Sequence, residues 1–216
     1  MIEVTYIDHM GSDLSVVNAA RVSFGKTHKA MTEGDTKLIH YLAKHKHMSP
    51  FGHAFASFHV KAPIFVARQL VKHKFLRWNE VSRRYVDDEP EFYEPDEWRG
   101  RADDKKQGSF GVVEDVLTKY LSGDIYGEYD WVDYKYIAKK MYHELKMQGV
   151  APEQARMVLP QSTMTEWYWS GSLDAFMDMC NLRCKEDTQY ETRLVADYIR
   201  VEMMKLFPIS VEALVK

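Results

Sequence analysis

Between Arg68 and Arg84, six lysine and arginine side chains crowd against a single acid, Glu80. Like charges held this close repel one another, so the stretch cannot enter an apolar core and packs tightly only around anions. It belongs on a solvated face or in a site for a phosphate-bearing ligand. Pro63 suits the first position of a helix, where its missing N–H costs nothing. Ile64, Ala67, Leu70 and Val71 form an apolar stripe, and Arg68, Gln69, Lys72 and His73 share another face at helical spacing. The pattern predicts one helix carrying a cationic face, with a following loop that returns Asn79, Glu80, Ser82 and Arg84 towards it. A plain solvated helix face and a nucleic-acid patch are the alternatives these residues leave open.

At 216 residues and 45% hydrophobic, the chain is expected to fold as one domain over residues 1–216. A net charge of −3 argues against a globally basic nucleic-acid protein. Charge is instead segregated, because residues 87–104 hold nine acids against Arg99 and Arg101. Pro90, Pro95 and Gly100 interrupt that acidic stretch, so an acidic, mobile surface loop is expected around 87–108. No apolar run approaches the roughly 20 residues of a membrane span, and Met1-Ile2-Glu3-Val4 does not open a signal peptide. Cys180 and Cys184 imply no disulfide framework. A soluble, cytoplasmic protein is the expectation.

Periodicity predicts strands at Ile2–Ile7, Ala54–Val60 and Met164–Trp169. It predicts helices at Leu14–Val22, Thr36–Lys46, Val112–Leu121, Tyr134–Met147 and Leu173–Arg183, with a closing helix at Thr188–Leu206. The fold class is therefore α+β, helices packed around a small, mostly antiparallel sheet. His45, His47, His53 and His59 lie close in sequence but match no zinc motif, so no metal is expected. Trp167-Tyr168-Trp169 reads as core or interface packing. Ser82 has no local His–acid pair to activate it as a nucleophile.

Lys72-His73-Lys74, seven residues, then Ser82 is similar to an Arg-His-Arg-x7-Ser signature, and in this the chain resembles the flavin-dependent thymidylate synthase family. His47-Met48-Ser49-Pro50-Phe51-Gly52-His53 and the stretch Phe58–Gln69 resemble family segments. So do Asn79-Glu80-Val81-Ser82 with Tyr85, Glu91-Phe92-Tyr93, Ala155–Pro160 and Asn181-Leu182-Arg183. They keep their order along the chain, with a weak region between about Glu97 and Glu144. There are departures: lysines flank His73 in place of arginines, Arg83 replaces a glycine, and Gly52 replaces an acid. Ser172 and Asp178 stand where the family often has asparagines that touch the flavin.

The resemblance implies reductive methylation of dUMP to dTMP with methylenetetrahydrofolate, using FAD reduced by NADPH. It implies Arg183 as the residue that activates the pyrimidine. It assigns dUMP to Gln69, Lys72, Glu80, Ser82, Arg83, Arg84, Arg156 and Arg183. It assigns FAD to Ser49, Lys72, His73, Lys74, Phe75, Glu80, Ser172 and Asp178. It also implies a homotetramer with shared active sites, and neither a nucleic-acid nor a membrane partner. The residues fit such chemistry. Both cysteines lie on an apolar helical stripe, where thiols are ordinarily inert, so a thiolate route to the ring is not served. His73 between two lysines should stay neutral. No GxGxxG turn is present, so a flavin would rest on the basic patch. A flavin-binding relative without synthase activity and a polyanion-binding module are the rival readings.

Overall fold

The computed structural model describes residues 1–101, 108–114, 118–122, 125–129 and 131–216. Four antiparallel strands form the main sheet in the order β1 (Glu3–Met10), β2 (Phe55–Pro63), β8 (Met164–Ser172) and β3 (Leu76–Glu80). Alternation decides which side of this sheet is covered. Ala56, Phe58, Val60 and Ala62 of β2 are buried, while Ser57, His59 and Lys61 point to the other face. Trp167 and Trp169 of β8 share the buried side, and Tyr168 faces outward beside His59.

Two helices cover that buried side. Helix α6 (Leu173–Arg183) buries Leu173, Ala175, Phe176, Met177, Met179 and Cys180, while Asp174, Asp178 and Asn181 share its other face. Phe176 meets Phe58 edge-on at 5.2 Å and Trp169 at 5.5 Å. Helix α7 (Tyr190–Leu206) adds Val195, Ala196, Ile199 and Met203 to the same core. Outside these lie α1 (Asp13–Arg21) and α2 (Glu33–Lys44), the second capped by Thr32 and Asp35 in reciprocal hydrogen bonds. A short helix, α8 (Pro208–Leu214), follows α7, so the long helix does not close the chain. Its first turn is tied to α1, because the backbone N–H groups of Ile209 and Ser210 donate to buried Asp13.

The α+β class and the antiparallel sheet agree with expectation, but several local predictions need correction. Helix α3 (Ile64–Leu70) begins after Pro63, which is its cap, and stops at Leu70. Lys72 and His73 therefore lie in the turn beyond it, not on its face. The segment expected as a returning loop is strand β3; Leu76, Trp78 and Glu80 alternate with Arg77 and Asn79, a period-2 signal obscured by the charges.

Val112–Leu121 is not a helix where it is described. Ser109–Val112 (β5) pairs with Arg99–Arg101 (β4), and Thr118–Ser122 (β6) pairs with Ile125–Tyr129 (β7); residues 115–117 lie outside the described residues. Gly111 at φ 66° interrupts any helix there, and the β-branched and aromatic content suits strands. The acidic stretch is tied down along helix α4 (Trp131–Met147), which the short helix α5 (Pro152–Ala155) follows. Asp87 pairs with Lys146 at 2.7 Å, Glu89 with Lys139 at 3.0 Å, and Glu94 with Lys135. Residues 102–107 of that stretch, including Asp103 and Asp104, lie outside the described residues. Among the described residues no helix is long and apolar enough to cross a membrane.

Candidate active site

Helix α3 ends where α6 ends, and this convergence builds the first part of the site. Past Leu70 the chain makes a tight turn, with Phe75 in the left-handed region at φ 63° and 86% exposed. A phenylalanine held there is strained, and such positions gather at functional sites. The turn presents Lys72, Lys74 and Phe75 outward and His73 inward, half-buried. Arg183, the last residue of α6, donates from Nε to His73 Nε2 at 3.0 Å and from Nη2 to the Gln69 carbonyl at 3.4 Å. Guanidinium only donates, so Nε2 accepts and the imidazole proton sits on Nδ1. Burial and then the Arg183 charge lower the His73 pKa to about 4, which keeps the ring neutral as expected. Gln69 also meets Gln189 through its side chain.

Strand β3 delivers Glu80 to a second cleft, of about 460 Å³, where Arg68, Arg83, Arg156 and Thr165 also face. Both Glu80 oxygens are engaged: Oε1 accepts from Thr165 Oγ1 at 2.7 Å and Oε2 from Trp78 Nε1 at 3.0 Å. Those bonds orient the carboxylate. Arg83 donates to the Asp88 carbonyl, and Arg156 Nε donates to the Glu153 carbonyl at 3.4 Å rather than to its carboxylate. Ser82 Oγ accepts from the Arg84 backbone N–H and from its Nε. Among the described residues, Lys72, Lys74, Arg84, Arg156 and Arg183 have no carboxylate within ion-pair distance.

The remaining predicted residues are elsewhere in the chain. Ser49 lies in the short turn Ser49–His53, lining a cleft of about 630 Å³ with Arg21, Ser23 and His53. Asp178 lines another of about 520 Å³ among Lys44, Lys46 and Lys216, with Lys216 Nζ at 4.0 Å. Ser172 stands at the N-cap position of α6, at the end of β8, with no capping bond from its side chain. Near Gly52, the Asp174 Oδ1 stands 4.0 Å from where a Cβ would be, so a carboxylate still borders the position where the family segment has an acid. Trp78 and Thr165, which hold Glu80, were absent from the sequence reading. Only the pairing of β3 with β8 brings Thr165 there, and no local signal announces that register.

A model of the family described as thymidylate synthase complementing protein matches residues 5–209. A flavin-dependent thymidylate synthase of Thermosipho africanus is 40% identical over 214 residues, 97% of this chain and 89% of the relative. The chain belongs to the flavin-dependent thymidylate synthase family. A second such synthase, from Thermus thermophilus, is 39% identical over 211 residues, covering 96% of the chain and 73% of the relative. A solved UMP/dUMP methylase, PolB of Streptomyces cacaoi, bound with 5-Br dUMP, superposes with a TM-score of 0.80. It is 31% identical and covers 99% of this chain and 94% of its own. As a flavin-dependent thymidylate synthase, this chain is an enzyme of dTMP formation.

Proposed function

We propose that the chain methylates dUMP reductively to dTMP, taking the one-carbon unit from methylenetetrahydrofolate and using FAD reduced by NADPH. The observation that carries this reading is Arg183. Its guanidinium is half-buried, held by neutral His73 and the Gln69 carbonyl, and has no carboxylate partner among the described residues. Burial lowers its own pKa, a sign that its charge is under-solvated and is stabilised by an anion placed against it. A uracil ring deprotonated at N3 is such an anion. Favouring that form raises electron density at C5, which electrostatic contact alone achieves without a thiolate.

The other roles are those that the family resemblance implies. Gln69, Lys72, Glu80, Ser82, Arg83, Arg84 and Arg156 hold dUMP, with Ser82 and Arg84 suited to its phosphate. Glu80, fixed by Trp78 and Thr165, accepts from the ligand without moving. Ser49, Lys72, His73, Lys74, Phe75, Glu80, Ser172 and Asp178 hold FAD. The residues present fit a flavin dinucleotide: unpaired lysines for its phosphates and an outward-facing aromatic for a planar ring. When bound, reduced flavin supplies the hydride.

One protomer spreads these residues over separate clefts, so a complete site needs a neighbour. A homotetramer with shared sites is the assembly we propose. Both cysteines are free thiols, in keeping with a reducing cytoplasm. The test is the absorbance spectrum of the purified protein with added FAD, followed by dUMP-dependent NADPH oxidation with UMP run in parallel. A flavin band and turnover on dUMP support the reading. A colourless protein that binds any polyanion in a steeply salt-dependent way overturns it.

A further inference from the structure

Asp35 is fully buried in α2, and nothing in the assignments above uses it. Its Oδ1 accepts from Arg21 Nε at 3.0 Å and Nη2 at 2.6 Å; its Oδ2 accepts from Thr32 Oγ1 at 2.7 Å and the Thr32 N–H at 3.1 Å, and sits 2.8 Å from His28 Nδ1. Burial works against its charge, yet the bonds from His28, Thr32 and Arg21 prevail and hold the carboxyl well below the usual range. Buried ion pairs are often no more stabilising than apolar residues of the same shape, so stability alone does not account for this one. What it does accomplish is to immobilise Arg21. Nε and Nη2 are committed to Asp35, which leaves Nη1 without a partner among the described residues, and Arg21 forms part of the wall of the cleft that also holds Ser23 and Ser49. Asn18 pins the same segment, exchanging hydrogen bonds with the backbone of His28 at 2.8 and 3.0 Å. Among the described residues, none that lines the cleft is acidic.

We infer that Arg21 binds a phosphate of the flavin dinucleotide in this cleft, beside the Ser49 hydroxyl, and that Asp35 is its positioning residue. The inference rests on the flavin reading of Ser49. It adds to that reading a second contact, a planar cation whose rotamer freedom is lost at folding rather than at binding.

Riboflavin shares the ring of FAD but lacks its diphosphate and adenosine, and FMN restores one phosphate without the adenosine, so the three ligands together isolate the contact. The full-length protein is titrated with each, as wild type, Arg21→Lys, Asp35→Asn and the charge-balanced double variant Arg21→Met/Asp35→Asn. Thermal melts accompany every titration. The double variant should lose about tenfold or more in FAD affinity, the scale of one charge-assisted bond, with riboflavin affinity unchanged. Arg21→Lys keeps a charge opposite Asp35, so it remains informative should the double variant not fold; it should show an intermediate loss confined to FAD. Asp35→Asn should reduce the FAD preference over riboflavin with Arg21 still present, which a purely structural role would not do. Equal FAD binding by wild type and variants overturns this inference and leaves the flavin assignment standing. No flavin binding by wild type overturns both.

Discussion

Arg183 and His73 are separated by 110 positions in sequence and meet at 3.0 Å. The contact couples a proton equilibrium to the fold. His73 has its pKa lowered from 6.5 to about 4, so between those values the unfolded chain binds more protons than the native one. Stability then rises with pH across that window and falls as pH drops through it. Melting temperatures from pH 4 to pH 7 should show this slope, and His73→Gln should flatten it; an unchanged slope would mean the ring is not buried as described. The same residues carry the catalytic prediction. Arg183→Ala should retain flavin yet lose turnover, and surviving dUMP-dependent NADPH oxidation would remove the activation role. Lys72→Arg and Lys74→Arg restore the planar forks of the family signature and should keep or raise flavin affinity in a fluorescence titration.

At the scale of elements, the pairing of β3 with β8 holds Glu80 in place. At Gly171 of β8, opposite Leu76, there is no room for a side chain. A Cβ there would sit 2.4 Å from Leu76 Cδ2 and 3.1 Å from the Phe75 carbonyl. The leucine terminus can swing aside, but the carbonyl belongs to the strained turn. Gly171→Ala should therefore cost about 1–3 kcal/mol, as overpacking does, and weaken dUMP binding by displacing Glu80. Unchanged binding and melting would show that β3 tolerates the shift.

Elements with one consistent period were legible from the chain. The predicted Leu173–Arg183 helix is α6 itself, and β8 and α4 begin or end within a few residues of expectation. Helix α3 was overextended because the apolar stripe runs on through Val71, which the structure leaves 48% exposed. In the β5–β6 region, apolar residues with several β-branched and aromatic members suit either period, and pairing partners decided for strands.

For the molecule as a whole, charge segregation becomes an architectural contact. The acidic segment lies along α4 through Lys135, Lys139 and Lys146, while Arg83 reaches its backbone at Asp88. These pairs are exposed and screened by salt. Molar sodium chloride should thus speed limited proteolysis within residues 87–94 while leaving the melting of the core nearly unchanged; equal cleavage at low and high salt would deny the ion pairs that role. Ser49, Asp178 and Arg183 lie apart within one protomer, so light scattering should return the mass of four chains, and a monomer with full turnover would refute shared sites.

The chain by itself determined the family and the fold class, because these are written in residue types at short spacing, but it set Lys72 and His73 on a helix face and not in the turn they occupy. Only tertiary structure decided that His73 is the acceptor for Arg183, that Thr165 and Trp78 orient Glu80, and that Asp35 anchors Arg21. Each of those contacts joins residues whose meeting depends on strand register or helix packing, which follow from burying the whole core at once rather than from any local pattern.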